Sequence, residues 1–221
     1  MPFKTIKRFG SGGAVPEVTE VTQVDVSEII SSIIKKRRSI RKYKKKDVDN
    51  NLIEKILDSA RYAPSSGNYQ PWEFIVVKDI RTKELLVEAS YNQEWMLEAP
   101  VFIVACINNR LAGAVYGERG LKLYGIQGIA AAIQNMLLTA ESLGLGTCWI
   151  GAFSEVIVSR ILECPDYVRP CAIITLGYPD EVAYTPPRQS MNEFVHVDKF
   201  GNTLQMEKVK KEKKPTYMKF R

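Results

Sequence analysis

From Ser27 onward, apolar residues fall at Ile29, Ile30, Ile33 and Ile34, a spacing that puts them on one face of a helix. A second helix is expected from about Asp49, with Leu52, Ile53, Ile56, Leu57 and Ala60 on its apolar side. Asp49 suits the cap of its first turn, and Pro64 closes the run. The period then changes. Residues 72–77 read as a strand, 81–89 as a short helix, and 101–107, entered through Pro100, as a buried strand. Residues 117–143 predict one long helix, ended by Gly144 in the position after the last turn. A short strand at 147–150, a helix capped by Ser154 and running through Leu162, and a last core strand at 171–176 follow. Residues 1–25 hold no sustained period, and from Tyr184 the chain is rich in proline and charge. The sum is an α+β fold, several helices around a small sheet.

Composition narrows the class. At 221 residues with 45% hydrophobic content, the chain suits one globular domain with appendages. The expected division is an N-terminal extension over 1–26, a domain over 27–200 and a basic tail over 201–221. No apolar run approaches a membrane span, and the opening MPFKTIKRFGSGG lacks the apolar stretch of a secretory signal. A soluble, cytoplasmic protein is the expectation. Cys106, Cys148, Cys164 and Cys171 form no CxxC pair, and the single histidine, His196, lies far along the chain, so no metal site is expected.

The net charge of +6 is unevenly placed. Residues 35–46 hold nine basic side chains and no acid, and 207–221 hold seven basic and two acidic ones. Such clusters call for an anionic partner, either nucleic acid or a small phosphate in a pocket. No G-x-G-x-x-G, Walker A or G-x-S-x-G sequence occurs. Any use of NAD(P)H therefore proceeds without a recognisable Rossmann site.

Four segments carry candidate chemistry. Arg37-Arg38-Ser39-Ile40-Arg41 offers guanidinium forks and a hydroxyl that match phosphate oxygens, although a solvated basic run has the same composition. The stretch 63–72 contains Pro64, Ser65, Ser66, Asn68 and Gln70. It supplies donors and acceptors of the kind a heterocycle edge needs, or is an ordinary turn cluster. In 144–153, glycines flank a short strand holding Trp149, Ile150 and Gly151, which lets backbone approach a ligand. Cys148 has no base partner in that segment, as a nucleophile would require. Arg188 follows two prolines that present it stiffly.

In this order the four segments resemble the nitroreductase family. That family shows R-R-S-x-R, P-S-x-x-N-x-Q-P-W, G-L-G-T-C-W-I-G and a late P-R motif; this chain has all four. The stretches WMLEAPVFIV (95–104), YGERG (116–120) and IQNMLL (133–138) are also similar, and the likeness covers about 27–200. The resemblance implies a mostly antiparallel central sheet flanked by helices, in an intertwined homodimer with FMN at the subunit interface. Arg37, Arg38, Ser39 and Arg41 then match phosphate and ribityl-end contacts. Pro64, Ser65, Ser66, Asn68 and Gln70 lie in the loop against the flavin ring. Trp149, Ile150 and Gly151 match the segment near N5, and Arg188 a second phosphate contact. Gln189 stands where many relatives carry another basic residue.

The implied chemistry is ping-pong hydride transfer from NADH or NADPH through FMN to a nitroaromatic, quinone or related acceptor, with no catalytic side chain required. Family members that dehalogenate, cleave flavin or oxidise heterocycles set an alternative. The lid over the ring is expected around 110–124. A nucleic-acid-binding reading of the basic segments leaves three motifs unexplained, and Tyr43 alone is a poor base-stacking platform. The two terminal segments are expected to wrap a partner subunit. Deleting either should lower dimer content or flavin retention, read by size-exclusion chromatography and visible absorbance; an unchanged, fully loaded dimer rules the wrapping out.

Overall fold

The structure, a computed structural model, describes residues 25–203. Both terminal segments therefore lie almost wholly outside the described residues. Four strands form one sheet: β1 (Trp72–Val77), β2 (Val101–Asn108), β3 (Gly146–Ile150) and β4 (Val168–Gly177). Their order is β1-β2-β4-β3, and every pair is antiparallel. The helices are α1 (Val26–Lys36), α2 (Asn50–Ala60), α3 (Ile80–Ala89), α4 (Asn109–Arg119), α5 (Gly125–Ser142) and α6 (Glu155–Ile161). The α+β expectation holds, with helices on both faces of an antiparallel sheet.

The core explains that layering. Strand β2 is buried on both faces, so its alternating side chains enter two different clusters. Val101, Ile103, Ala105 and Ile107 pack with α2 and α5 through Ile53, Ile56, Ile133 and Met136. Phe102, Val104 and Cys106 pack on the other side with Leu86, Val87 and Val158 of α3 and α6. Pro170 of β4 lacks an N–H, and it sits where the register slips between Ala105 and Cys106. Asp49 accepts from Asn51 N at 2.8 Å, so the expected cap of α2 forms. The cap of α6 also forms, Ser154 Oγ accepting from Ile157 N.

The single long helix expected over 117–143 is not what forms. Helical structure begins at Asn109 and breaks at Gly117, whose φ of 51° and ψ of −133° are outside the helical region. A π-helical turn (Gly120–Tyr124) then leads into α5. A Cβ on Gly120 would meet the Ala112 carbonyl oxygen at 1.9 Å, so only glycine allows this close return. The apolar period ran across the break and concealed it. The helix α1 shows a different departure. Its apolar face forms as expected, yet Val26 (65% exposed), Ile30 (53%) and Ile34 (52%) face solvent in one chain.

The outer edge of β3 is covered by the segment after α1. Ser39 bridges Thr147 in parallel sense, and Ile40 N donates to Thr147 O at 2.9 Å. Covering an edge strand this way removes its free pairing groups from solvent. Gly146 permits the approach, because a Cβ there would lie 2.8 Å from Ile40 Cγ1 and 2.9 Å from its Cβ. Gly146→Ala is expected to cost about 1–3 kcal/mol by overpacking. The measurement is the melting temperature, which should fall by at least a few degrees; an unchanged value contradicts the close packing.

Candidate functional site

Three of the four chemical segments meet at the β3 edge. Ser39 lies beside Thr147 in the bridge just described, one residue along from the Cys148 thiol. Arg37, half-buried at the end of α1, makes no hydrogen bond through its guanidinium among the described residues. Burial first, then repulsion from Arg188 and Arg38, pushes its pKa below the ordinary arginine value, while Glu141 opposes this. The charge of Arg188 is thus felt at Arg37, although the two are far apart in sequence. A bound phosphate would relieve that repulsion.

Arg38 turns elsewhere. Its Nη1 donates to the carbonyls of Lys35 and Arg37, at 2.5 and 2.8 Å. Nη2 and Nε donate to Thr185 Oγ1 at 3.0 and 3.3 Å. It ties the segment carrying Arg188 to the first motif. Arg41 has its guanidinium carbon 5.6 Å from the Trp95 ring centroid. Its backbone N–H donates to Glu181 Oε1 at 2.5 Å.

Trp149 is the exposed residue of β3, between buried Cys148 and Ile150. Gly151 follows with open space where a Cβ would point, so backbone there is accessible to a flat ligand. Burial pushes the Cys148 thiol above its ordinary pKa, the opposite of what a thiolate nucleophile needs.

The loop after α2 holds unusual backbone. Gly67, Asn68 and Gln70 all have positive φ, at 57°, 59° and 48°. Such strain is costly for non-glycine residues and gathers at ligand sites. Ser65 Oγ accepts from Gln70 N at 3.1 Å, and Gln70 Nε2 donates to Asn68 O and Oδ1 at 3.1 and 3.2 Å. Gln70 and Ser65 thus shape the loop from within. The Ser66 hydroxyl and Asn68 Nδ2 have no hydrogen-bond partner among the described residues, and Pro64 leads into the turn.

This loop does not join the other three segments. No hydrogen bond among the described residues links it to 37–41 or 147–151. Ser65 lies beside Gly128, near the start of α5, whereas Arg37 feels Glu141 near its end. Those positions are about 20 Å apart along the helix axis. The loop and the arginine-bearing segments therefore lie toward opposite ends of α5.

The 700 Å³ cleft between α1, the end of α5 and 179–185 is a separate feature. It is lined by Arg38 and Glu181, but not by Arg37, Ser39, Arg188 or the strained loop. The converging chemistry outside it is the better guide to the site.

Sequence reasoning missed several residues that shape this region. Tyr43 is buried, its hydroxyl 2.6 Å from Ile40 O and 2.8 Å from Thr175 Oγ1. Tyr116 of α4 meets Tyr69 of the loop edge-on at 6.5 Å, and Tyr124 at 5.2 Å. Glu181 and Thr185 sit in a stretch with no local motif. Apart from Tyr116, which opens the YGERG stretch, these have no sequence signal beyond their residue type, because each acts through a partner distant along the chain.

The family model for the nitroreductase family matches residues 34–93 and 82–178. A Methanothermobacter thermautotrophicus protein, provisionally named NADH dehydrogenase/NAD(P)H nitroreductase, is 37% identical over 166 residues, covering 73% of this chain and 81% of its own. The FMN reductase [NAD(P)H] of Bacillus subtilis is 31% identical over 192 residues, covering 80% and 76%. Among solved structures, B. megaterium NfrA2 superposes with a TM-score of 0.73 at 28% identity, over 80% of this chain and 76% of that one. No helix among the described residues is long and apolar enough to cross a membrane. With the motifs, the antiparallel sheet and these likenesses agreeing, the chain belongs to the nitroreductase family.

Proposed function

We propose that this protein is an FMN-dependent oxidoreductase that takes electrons from NADH or NADPH and reduces nitroaromatic, quinone or related acceptors. The observation that carries the reading is the half-buried Arg37 guanidinium, which has no hydrogen-bond partner among the described residues and feels the charge of Arg188. Cations so placed at the end of a helix, near Ser39, suit a phosphate monoester dianion. The names of the relatives, FMN reductase and NAD(P)H nitroreductase among them, support the same cofactor and donor.

Arg37, Ser39 and Arg188 would hold the phosphate, with Arg41 at its margin. Arg38 contributes by tying the two phosphate segments together. Ser66 and Asn68 would meet the ring edge with their free polar groups, on a loop shaped by Pro64, Ser65 and Gln70. Trp149, Ile150 and Gly151 would bring backbone to the ring, Gly151 leaving room for its approach. When bound, FMN supplies the hydride exchange, accepting from the reduced nicotinamide and passing to the acceptor. The chain's residues orient, exclude water and set charge, and none is assigned as a nucleophile.

The same geometry supports a homodimer. The loop and the phosphate cradle lie at opposite ends of α5, so the second copy supplies the missing half. The uncovered apolar face of α1 supports an interface there. Helix α4 and the π-helical turn reach the loop through Tyr116 and Tyr69, which suits the role of lid. The basic segment is partly committed internally, with Lys46 Nζ 4.0 Å from the Tyr178 ring centroid and Arg38 on Thr185. A nucleic-acid role gains no support from it.

The purified protein should be yellow and release FMN on heating, and NADH or NADPH should bleach it anaerobically. A colourless protein that also fails to bind added FMN overturns the reading. Cys148→Ala should keep kcat within about twofold, because a buried thiol with a raised pKa is no nucleophile. A loss beyond tenfold in a variant that still binds FMN would instead assign the thiol a chemical role.

A further inference from the structure

The phosphate cradle is drawn from two segments, 37–41 and the stretch ending at Arg188, and something must set the distance between them. We propose that Glu181 is a positioning residue for that cradle: its carboxylate clamps the backbone of Arg41 and Lys42 and so fixes where Arg37 and Ser39 stand relative to Arg188. This rests on the FMN reading above.

Each backbone N–H of the segment after α1 needs an acceptor. Ile40 N finds Thr147 O at 2.9 Å. Beyond Ile40 the chain turns from the β3 edge, and two consecutive N–H groups converge on one carboxylate oxygen. That oxygen is Glu181 Oε1, accepting from Arg41 N at 2.5 Å and from Lys42 N at 3.1 Å. An ionised acceptor makes these stronger than neutral backbone bonds.

Glu181 is itself held in place. Lys44 N donates to Tyr178 O at 2.9 Å, and Asp180 N donates to Lys42 O at 3.0 Å. Tyr43 and Pro179 form an antiparallel bridge. Residues 178–181 thus run against 42–44, and the Arg38 bonds to Thr185 extend the seam toward Arg188. The carboxylate sits in the middle of this seam and takes backbone donors. It does not occupy the guanidiniums. The acid whose charge is felt at Arg37 is Glu141. Committing the Glu181 carboxylate to two amides keeps it off the Arg37 fork.

A clamp on the phosphate cradle affects only ligands that carry the phosphate. FMN and riboflavin share the ring and ribityl chain and differ in that group, so their affinities separate a positioning role from general damage. The full-length protein, stripped of bound flavin, is titrated with each flavin by fluorescence quenching, alongside Glu181→Ala and Glu181→Gln. The alanine variant should bind FMN at least tenfold more weakly, with riboflavin changed less than about twofold. The glutamine variant keeps a carbonyl acceptor and should fall between, about threefold weaker for FMN.

Equal FMN affinity in both variants overturns the proposal, as does an equal loss for both flavins. If the alanine variant fails to fold, as judged by circular dichroism, the glutamine variant decides by the same comparison. An unsubstituted protein that binds neither flavin refutes the FMN reading itself, and the clamp falls with it.

Discussion

The structure depends on one close contact, the seating of Ile40 against the outer edge of β3. A single hydrogen bond from Ile40 N to Thr147 O sets the parallel register of the segment. Gly146 removes the side chain that would block it. From that seating follow the position of Arg37 above it, the bridge of Ser39 with Thr147, and the burial of Tyr43 below. The functional segments are not appended to a finished sheet. They complete its edge, so the same contacts that stabilise the fold also locate the chemistry.

This coupling explains the electrostatic pattern. A run of nine basic residues would repel itself if left in solvent. Here it is threaded through acceptors. Glu98 Oε2 accepts from Tyr43 N at 3.1 Å, Glu181 takes the next two amides toward the N-terminus, and Tyr178 faces Lys46. Arg37 is a half-buried member whose guanidinium has no hydrogen-bond partner among the described residues. A half-buried cation at such a junction of segments suits a bound anion.

Much of this was legible in the sequence, and the failures have physical reasons. The strands, the caps at Asp49 and Ser154, and the sheet's flanking helices followed from period and capping chemistry, which are local. The break at Gly117 escaped because glycine is tolerated within helical patterns and the apolar period continues through the π turn. The family motif matches Arg38 to a phosphate-end contact, and in one chain its fork reaches Thr185 and two carbonyls, a partner choice no local pattern predicts. Which of two adjacent arginines turns inward depends on a segment far along the chain. Glu181 and Thr185 carry no local signal for the same reason.

The separation of the loop and the arginine-bearing segments along α5 has a genetic consequence. In a dimer whose sites each take the loop from one subunit and the cradle from the other, damage to different halves does not have to combine. A subunit defective only in the loop and one defective only in the cradle would assemble into a mixed dimer with one site doubly broken and one intact. Two inactive forms of this chain, mixed after unfolding or produced in the same cell, would then restore part of each other's activity. Two forms damaged in the same half would not.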